Sequence, residues 1–183
     1  IAAGTLIAGL TNVVTMSAGA GPDRIGLDCM ASEVGKGSGY IGSHGIGHGG
    51  SAAGLSAAEC HALIRRKCLE KLAKFIRTME AIPEGEGTMM DNTLVVYLSD
   101  SAEGHHPLCN QWPFVLIGDL GGRLKLGDRY LRYPWYGQPG HRTTANLYLS
   151  LLAALGDRRN TFGIKDSQIL DLDQEGPLAE LMV

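Results

Sequence analysis

"NTLVVYLSD", residues 92–100, is the stretch on which the fold class turns. Leu94 to Leu98 form a continuous apolar, β-branched run, entered from Asn92 and left through the polar pair Ser99–Asp100. A short apolar run bounded by turn residues reads as a strand buried on both faces. Working outward, "WPFVLIGD" (112–119) has the same character and reads as the next strand, and "NVVTMSAG" (12–19), closed by glycine, as an earlier one. Between them lies the clearest helix of the chain. Ser56 and Glu59 form a capping box, and Cys68, Leu69, Leu72, Phe75, Ile76 and Met79 follow at three–four spacing until Pro83 and Gly85 end the pattern. "TTANLYLSLLAALG" (143–156) predicts a second helix with Gly156 at its C′ position, residues 1–10 the end of an apolar helix, and "KLGDRY" the turn of a hairpin over 121–133. The tail, 157–183, has no strong period. Strands alternating with long helices predict an α/β architecture, a mostly parallel sheet flanked by helices, with any ligand beyond the carboxyl ends of the strands.

Composition sets the bounds. A chain of 183 residues, 44% hydrophobic and 19% charged, has the length and content of one globular domain spanning 1–183. Glycine, at 26 residues, is well above ordinary usage and falls mostly between the periodic segments, the mark of a loop-rich protein. A net charge of −3 gives no reason to expect nucleic acid as a partner, and no apolar run approaches the ~20 residues of a transmembrane helix. The chain opens on Ile1 in an apolar segment with no basic stretch ahead of it, which reads as a portion of a longer or processed protein rather than as a signal peptide. Cys29, Cys60, Cys68 and Cys109 show no CxxC pairing and read mainly as small buried hydrophobes, with a disulfide left open.

The chemistry-bearing residues gather where that topology predicts. "SHGIGHGG" (43–50) sets His44 and His48 four apart among glycines, and "SDSAEGHHP" (99–107) presents Asp100, Ser101, Glu103, His105 and His106 directly after a strand. Imidazole with carboxylate suits a divalent transition metal such as zinc, manganese or iron, whereas an all-carboxylate set suits magnesium or calcium. Each piece alone is a weak signal, because a single His-x3-His pair without the HExxH glutamate is common and most lone histidines are merely hydrogen-bonded. Two clusters at one sheet edge make His44, His48, Asp100, His105 and His106 the candidate metal ligands. His61, inside the long helix, reads as structural. His141 and Arg142, just ahead of a helix N-terminus, are a candidate anion site, although an ordinary loop role is the stronger reading for His141. No P-loop, GxSxG elbow or dinucleotide fingerprint is present.

"GTMMDNTLVVYLSD" (87–100) resembles the stretch of sulfatases and other alkaline-phosphatase-like enzymes in which a strand delivers metal ligands at its end. "WPFVLIGDLGGRLKLGDRYL" (112–131), "NLYLSLLAALG" (146–156) and "FGIKDS" (162–167) resemble, in the same order, the motifs of an uncharacterised bacterial family of that superfamily. The resemblance covers most of 5–172 and is most specific over 87–156. It implies an alkaline-phosphatase-like fold of which this chain is the C-terminal portion, an exported (periplasmic or extracellular) location, and His44, His48, Asp100 and one of His105 and His106, preferably His106, as metal ligands. It also implies a metal-binding, hydrolase-like protein acting on phosphate or sulfate esters. The alternative is a non-catalytic, sulfatase-like subunit used for binding partners or assembling a larger protein complex. Ser101 replaces the histidine that follows the aspartate in sulfatases, and no Cys/Ser-x-Pro-x-Arg motif is present, so no catalytic nucleophile is assigned.

Overall fold

The computed structural model describes residues 1–17, 42–52, 54–99, 111–165, 167–168 and 174–183. It divides into two compact units, residues 1–89 and 90–183.

In the first unit, helix α1 (Ala2–Ile7) packs beside the long helix α3 (Ala57–Glu80), as does the short helix α2 (Ser43–Gly47). The capping box of α3 is present as expected: the Glu59 carboxylate accepts from the Ser56 N–H at 2.8 Å and from its hydroxyl at 2.7 Å. Pro83 stops the helix because its ring nitrogen carries no N–H for the next turn. The chain then reverses through a two-residue turn, pairing β1 (Pro83–Glu84) with β2 (Gly87–Thr88). Ile46 of α2, 1% exposed, packs with Cys60 and Ile64 of α3, and that small cluster is the core of the unit. Cys60 is fully buried with its thiol directed at the Leu55 carbonyl, as a small hydrophobe would be.

In the second unit, β3 (Val95–Leu98) and β4 (Phe114–Ile117) pair antiparallel, Val95 opposite Ile117 and Leu98 opposite Phe114. Helix α4 (Thr144–Ala154) follows, and a single 3₁₀ turn (Ala179–Leu181) closes the chain. Leu124, Leu147, Ala154, Leu178 and Leu181 form the core, with Leu94, Phe114 and Leu116 packed against it. Gly156, at φ +95°, ends α4 with its own N–H on Ala153 and that of Asp157 on Leu152, the Schellman pattern its C′ position predicts.

The mostly parallel, alkaline-phosphatase-like α/β sheet expected from the sequence is not what the chain forms. Among the described residues the sheets are two antiparallel pairs, β1–β2 and β3–β4. The periodicity of 92–100 and 112–119 locates both strands correctly but carries no information on direction. A buried apolar run suits either sense, and only a parallel neighbour demands a crossover layer between the strands. The segment expected as a first strand also differs. Residues 12–17 form no strand among the described residues, and Val13 is 75% exposed; residues 18 and 19 lie outside the described residues. β-branched residues favour a strand only when a ladder partner is available. At 121–133 the turn falls where expected, at Gly127 and Asp128, both at positive φ, but its two arms form no ladder with each other. Instead Leu124 bridges to Met182, and the Lys125 N–H donates to the Leu181 carbonyl.

Candidate functional site

The first candidate group stands on α2. The glycines of 42–50 build a single helical turn rather than an open loop, and the turn ends in a Schellman motif: Gly49 at φ +88° donates to Ile46, and Gly50 to Gly45. At 100° per residue, positions two before and two after Ile46 fall on the side of the turn away from it. Burial of Ile46 against α3 therefore sends His44 and His48 outward together, His44 half-buried and His48 exposed. Their rings meet edge to face, centroids 4.7 Å apart and planes at 82°. Edge-to-face packing aims the ring nitrogens in different directions, so gathering both on one ion requires one ring to turn about its χ angles. That is a small adjustment for an exposed side chain.

The second candidate group follows β3. Asp100, Ser101, Glu103, His105 and His106 lie outside the described residues; the two ends of the segment that carries them do not. The Trp112 indole N–H donates to the Ser99 carbonyl at 2.9 Å, and its ring packs against Phe114 with centroids 6.2 Å apart. The strand exit and re-entry are thus pinned to each other. Among the described residues, no cluster of three or more histidine, cysteine or acidic side chains is placed to hold a metal.

The third group, at the start of α4, is engaged internally. His141 is buried, its Nδ1 donates to the Pro134 carbonyl at 2.8 Å, and its ring and that of Tyr136 pack edge to face with centroids 5.8 Å apart. A carbonyl only accepts, so the proton sits on Nδ1. Arg142 reaches back to the His141 carbonyl at 3.3 Å. Just beyond, the Asn146 carboxamide oxygen takes both the Thr143 N–H (2.8 Å) and its hydroxyl (2.9 Å), so the helix start is capped from within. His61, on α3, has its pKa lowered by burial first and then by the neighbouring Arg65, in keeping with a structural position.

Two residues that the sequence reading passed over organise the second unit. Asn146, 1% exposed, donates through Nδ2 to the Glu175 and Gly176 carbonyls at 3.0 and 2.9 Å. The fully buried Ser150 hydroxyl donates to the Asn146 carbonyl at 2.9 Å and accepts from the Leu178 N–H at 2.8 Å. Together they fasten the C-terminal segment to α4. The signal was present in the sequence: two polar residues four apart on an otherwise apolar helix occupy the same buried stripe and need partners there. Nearby, burial and Glu180 push the Tyr133 phenol above its usual value, while Arg142 and Arg129 offset part of that rise.

Comparison with protein-family models, with curated proteins and with solved structures finds no match to this chain. No helix among the described residues is long and apolar enough to cross a membrane.

Proposed function

We propose that the protein binds a divalent transition metal (zinc, manganese or iron) through His44 and His48 and serves in hydrolysis of a phosphate or sulfate ester. One observation carries the metal reading: two imidazoles, 4.7 Å apart, share the outward side of a helical turn fixed by the buried Ile46. The donor chemistry fits, since neutral imidazole is a good ligand for these ions and both rings lie within reach of one. The resemblance of 87–100 to sulfatase-like sequences implies Asp100 and one of His105 and His106 as further ligands, and these lie outside the described residues. A metal held there would polarise an ester oxygen and lower the pKa of a bound water. The ester class rests on the resemblance of 87–100 to sulfatase-like sequences, not on the α/β fold first attached to it.

Elemental analysis of the purified protein beside His44→Ala/His48→Ala tests the reading. About one transition metal per chain, lost in the double variant while the thermal melt is kept, is the expected result. Hydrolysis of aryl phosphates and aryl sulfates that stops on chelation and returns with metal then supports the enzyme. Stoichiometric metal with no turnover of either ester supports a binding or assembly subunit instead. No metal in either sample overturns the ligand assignment.

A further inference from the structure

The arms of the 121–133 turn form no ladder with each other, yet their side chains alternate as strands do. Leu124, Leu126, Leu131 and Tyr133 pack into the core, and the residues between them face water: Arg123 and Lys125 on the first arm, Tyr130 and Arg132 on the second. The next residues extend the same character. Tyr130 is 86% exposed, Trp135 54% and Tyr136 45%. Isolated exposed aromatics are unremarkable, but here three exposed amphipathic rings fall within seven residues of chain that also carry exposed cations. Between positions 123 and 142 the chain carries Arg123, Lys125, Arg129, Arg132 and Arg142 against the single acid Asp128, a local balance of +4 in a protein of net charge −3. Among the described residues none of these cations makes an ion pair with a carboxylate. Arg129 instead donates to the Lys125 and Glu180 carbonyls, bracing the turn.

The backbone under Trp135 and Tyr136 is held locally. The Gln138 N–H donates to the Trp135 carbonyl at 3.0 Å and the His141 N–H to Gln138 at 3.1 Å. Buried His141 then bonds the Pro134 carbonyl through Nδ1 and packs edge to face with Tyr136.

We propose that this cationic, aromatic face binds an acidic polysaccharide, one whose sugars carry carboxylate or sulfate groups. The flat C–H face of a pyranose stacks on Tyr130, Trp135 and Tyr136. The guanidinium groups of Arg123 and Arg132 take the anionic substituents in bidentate fashion, and Lys125 adds a point charge. Charge complementarity selects an anion, and the rings select a ligand with faces to stack. A nucleic acid offers both, but its dense, continuous charge would run off the patch onto a protein that is negative elsewhere. A membrane surface would favour exposed aliphatic side chains, and here Leu124, Leu126 and Leu131 point inward. The proposal stands apart from the metal reading and survives its failure.

The test is affinity electrophoresis and titration calorimetry with dextran sulfate and polygalacturonate, against neutral dextran, single-stranded poly(U) and vesicles of mixed phosphatidylcholine and phosphatidylserine. Wild type, Arg123→Gln/Lys125→Gln/Arg132→Gln and Tyr130→Ala/Trp135→Ala are compared. Both acidic polysaccharides should bind and neutral dextran should not. The cation variant should weaken binding about tenfold or more and flatten the dependence of log K on log salt by about two. The aromatic variant should weaken binding by a similar factor with the salt slope kept. Tighter binding of poly(U) or vesicles, equal binding of neutral dextran, or unchanged affinity in both variants overturns the proposal. The salt slope of the wild type needs no variant, so a flat one overturns it even if a variant fails to fold.

Discussion

Residues 42–50 in the first unit and 118–142 in the second are both glycine-rich stretches carrying histidine, and they use those residues in opposite ways. In 42–50 a single buried residue, Ile46, fixes a helical turn, and the imidazoles of His44 and His48 are turned outward. A Cβ added at Gly49 would meet nothing within 4 Å. In 118–142 the imidazole of His141 is inside, hydrogen-bonded to the backbone, and glycine is a point of contact. A Cβ at Gly118 would lie 2.2 Å from the Thr93 carbonyl oxygen and 2.8 Å from the end of Met90. One stretch turns its imidazoles outward; the other uses its imidazole as a fastener. Residue type and spacing alone do not distinguish the two, because what decides is whether a neighbouring segment returns to cover the side chain.

The matched glycines give the widest separation. Both have positive φ, +81° at Gly118 and +88° at Gly49, so either alanine is strained, but only at Gly118 must backbone move as well. Gly118→Ala should cost at least about 3 kcal/mol and Gly49→Ala about 1 kcal/mol. Urea melts of the two variants check this, and equal losses would break the comparison.

Asn146→Leu comes next. The leucine keeps the volume but leaves the Glu175 and Gly176 carbonyls and the Thr143 N–H without their partner, at a cost of about 2–3 kcal/mol. Because those bonds fasten residues 175 and 176, the amides of 176–181 should lose hydrogen-exchange protection before those of α4 do. Uniform loss of protection would show that the polar fasteners are not what holds the tail.

His141→Phe keeps a ring in the buried site and removes only the Nδ1 donor to Pro134. A loss of about 1–2 kcal/mol is expected, the penalty of one unpaired buried carbonyl.

How much of this was legible in the sequence follows from the same contrast. Local signals read true. Ser56 with Glu59 capped a helix, Pro83 ended it, Gly156 closed another, and the apolar cores of 92–100 and 112–119 became β3 and β4. These depend only on residues a few positions apart. The parallel sheet failed because strand direction depends on how the chain connects, which the apolar run of either strand does not encode. The strand expected at 12–19 did not form over its described part, 12–17, because β-branched residues make a strand only within a ladder, and a ladder is a property of the fold rather than of the segment. For the candidate site, the four-residue spacing of His44 and His48 was legible, but the helical turn that carries them was read as loop because so short a turn has no apolar period; the buried stripe of Asn146 and Ser150 depends on residues 175–178, some thirty positions away.

His61 tests the comparison at its finest grain, since it is neither outward nor a fastener but partly covered on the side of α3. Burial, and then the charge of Arg65 one turn on, hold its pKa below the ordinary 6.5. The unfolded chain recovers that ordinary value and therefore takes up a proton more readily than the folded chain does. The stabilisation that His61 provides as a neutral ring is fully present above the unfolded value. It is lost as pH falls from there through the lower folded value. Midpoints of urea unfolding at about pH 7.5 and about pH 5.5 should thus drop more in the wild type than in His61→Gln, which cannot be protonated in this range. Arg65→Gln, by removing the smaller of the two causes, should recover only part of the difference. If His61→Gln and wild type lose the same stability on acidification, the ring is as well solvated in the fold as in the unfolded chain, and burial on α3 does not hold it neutral.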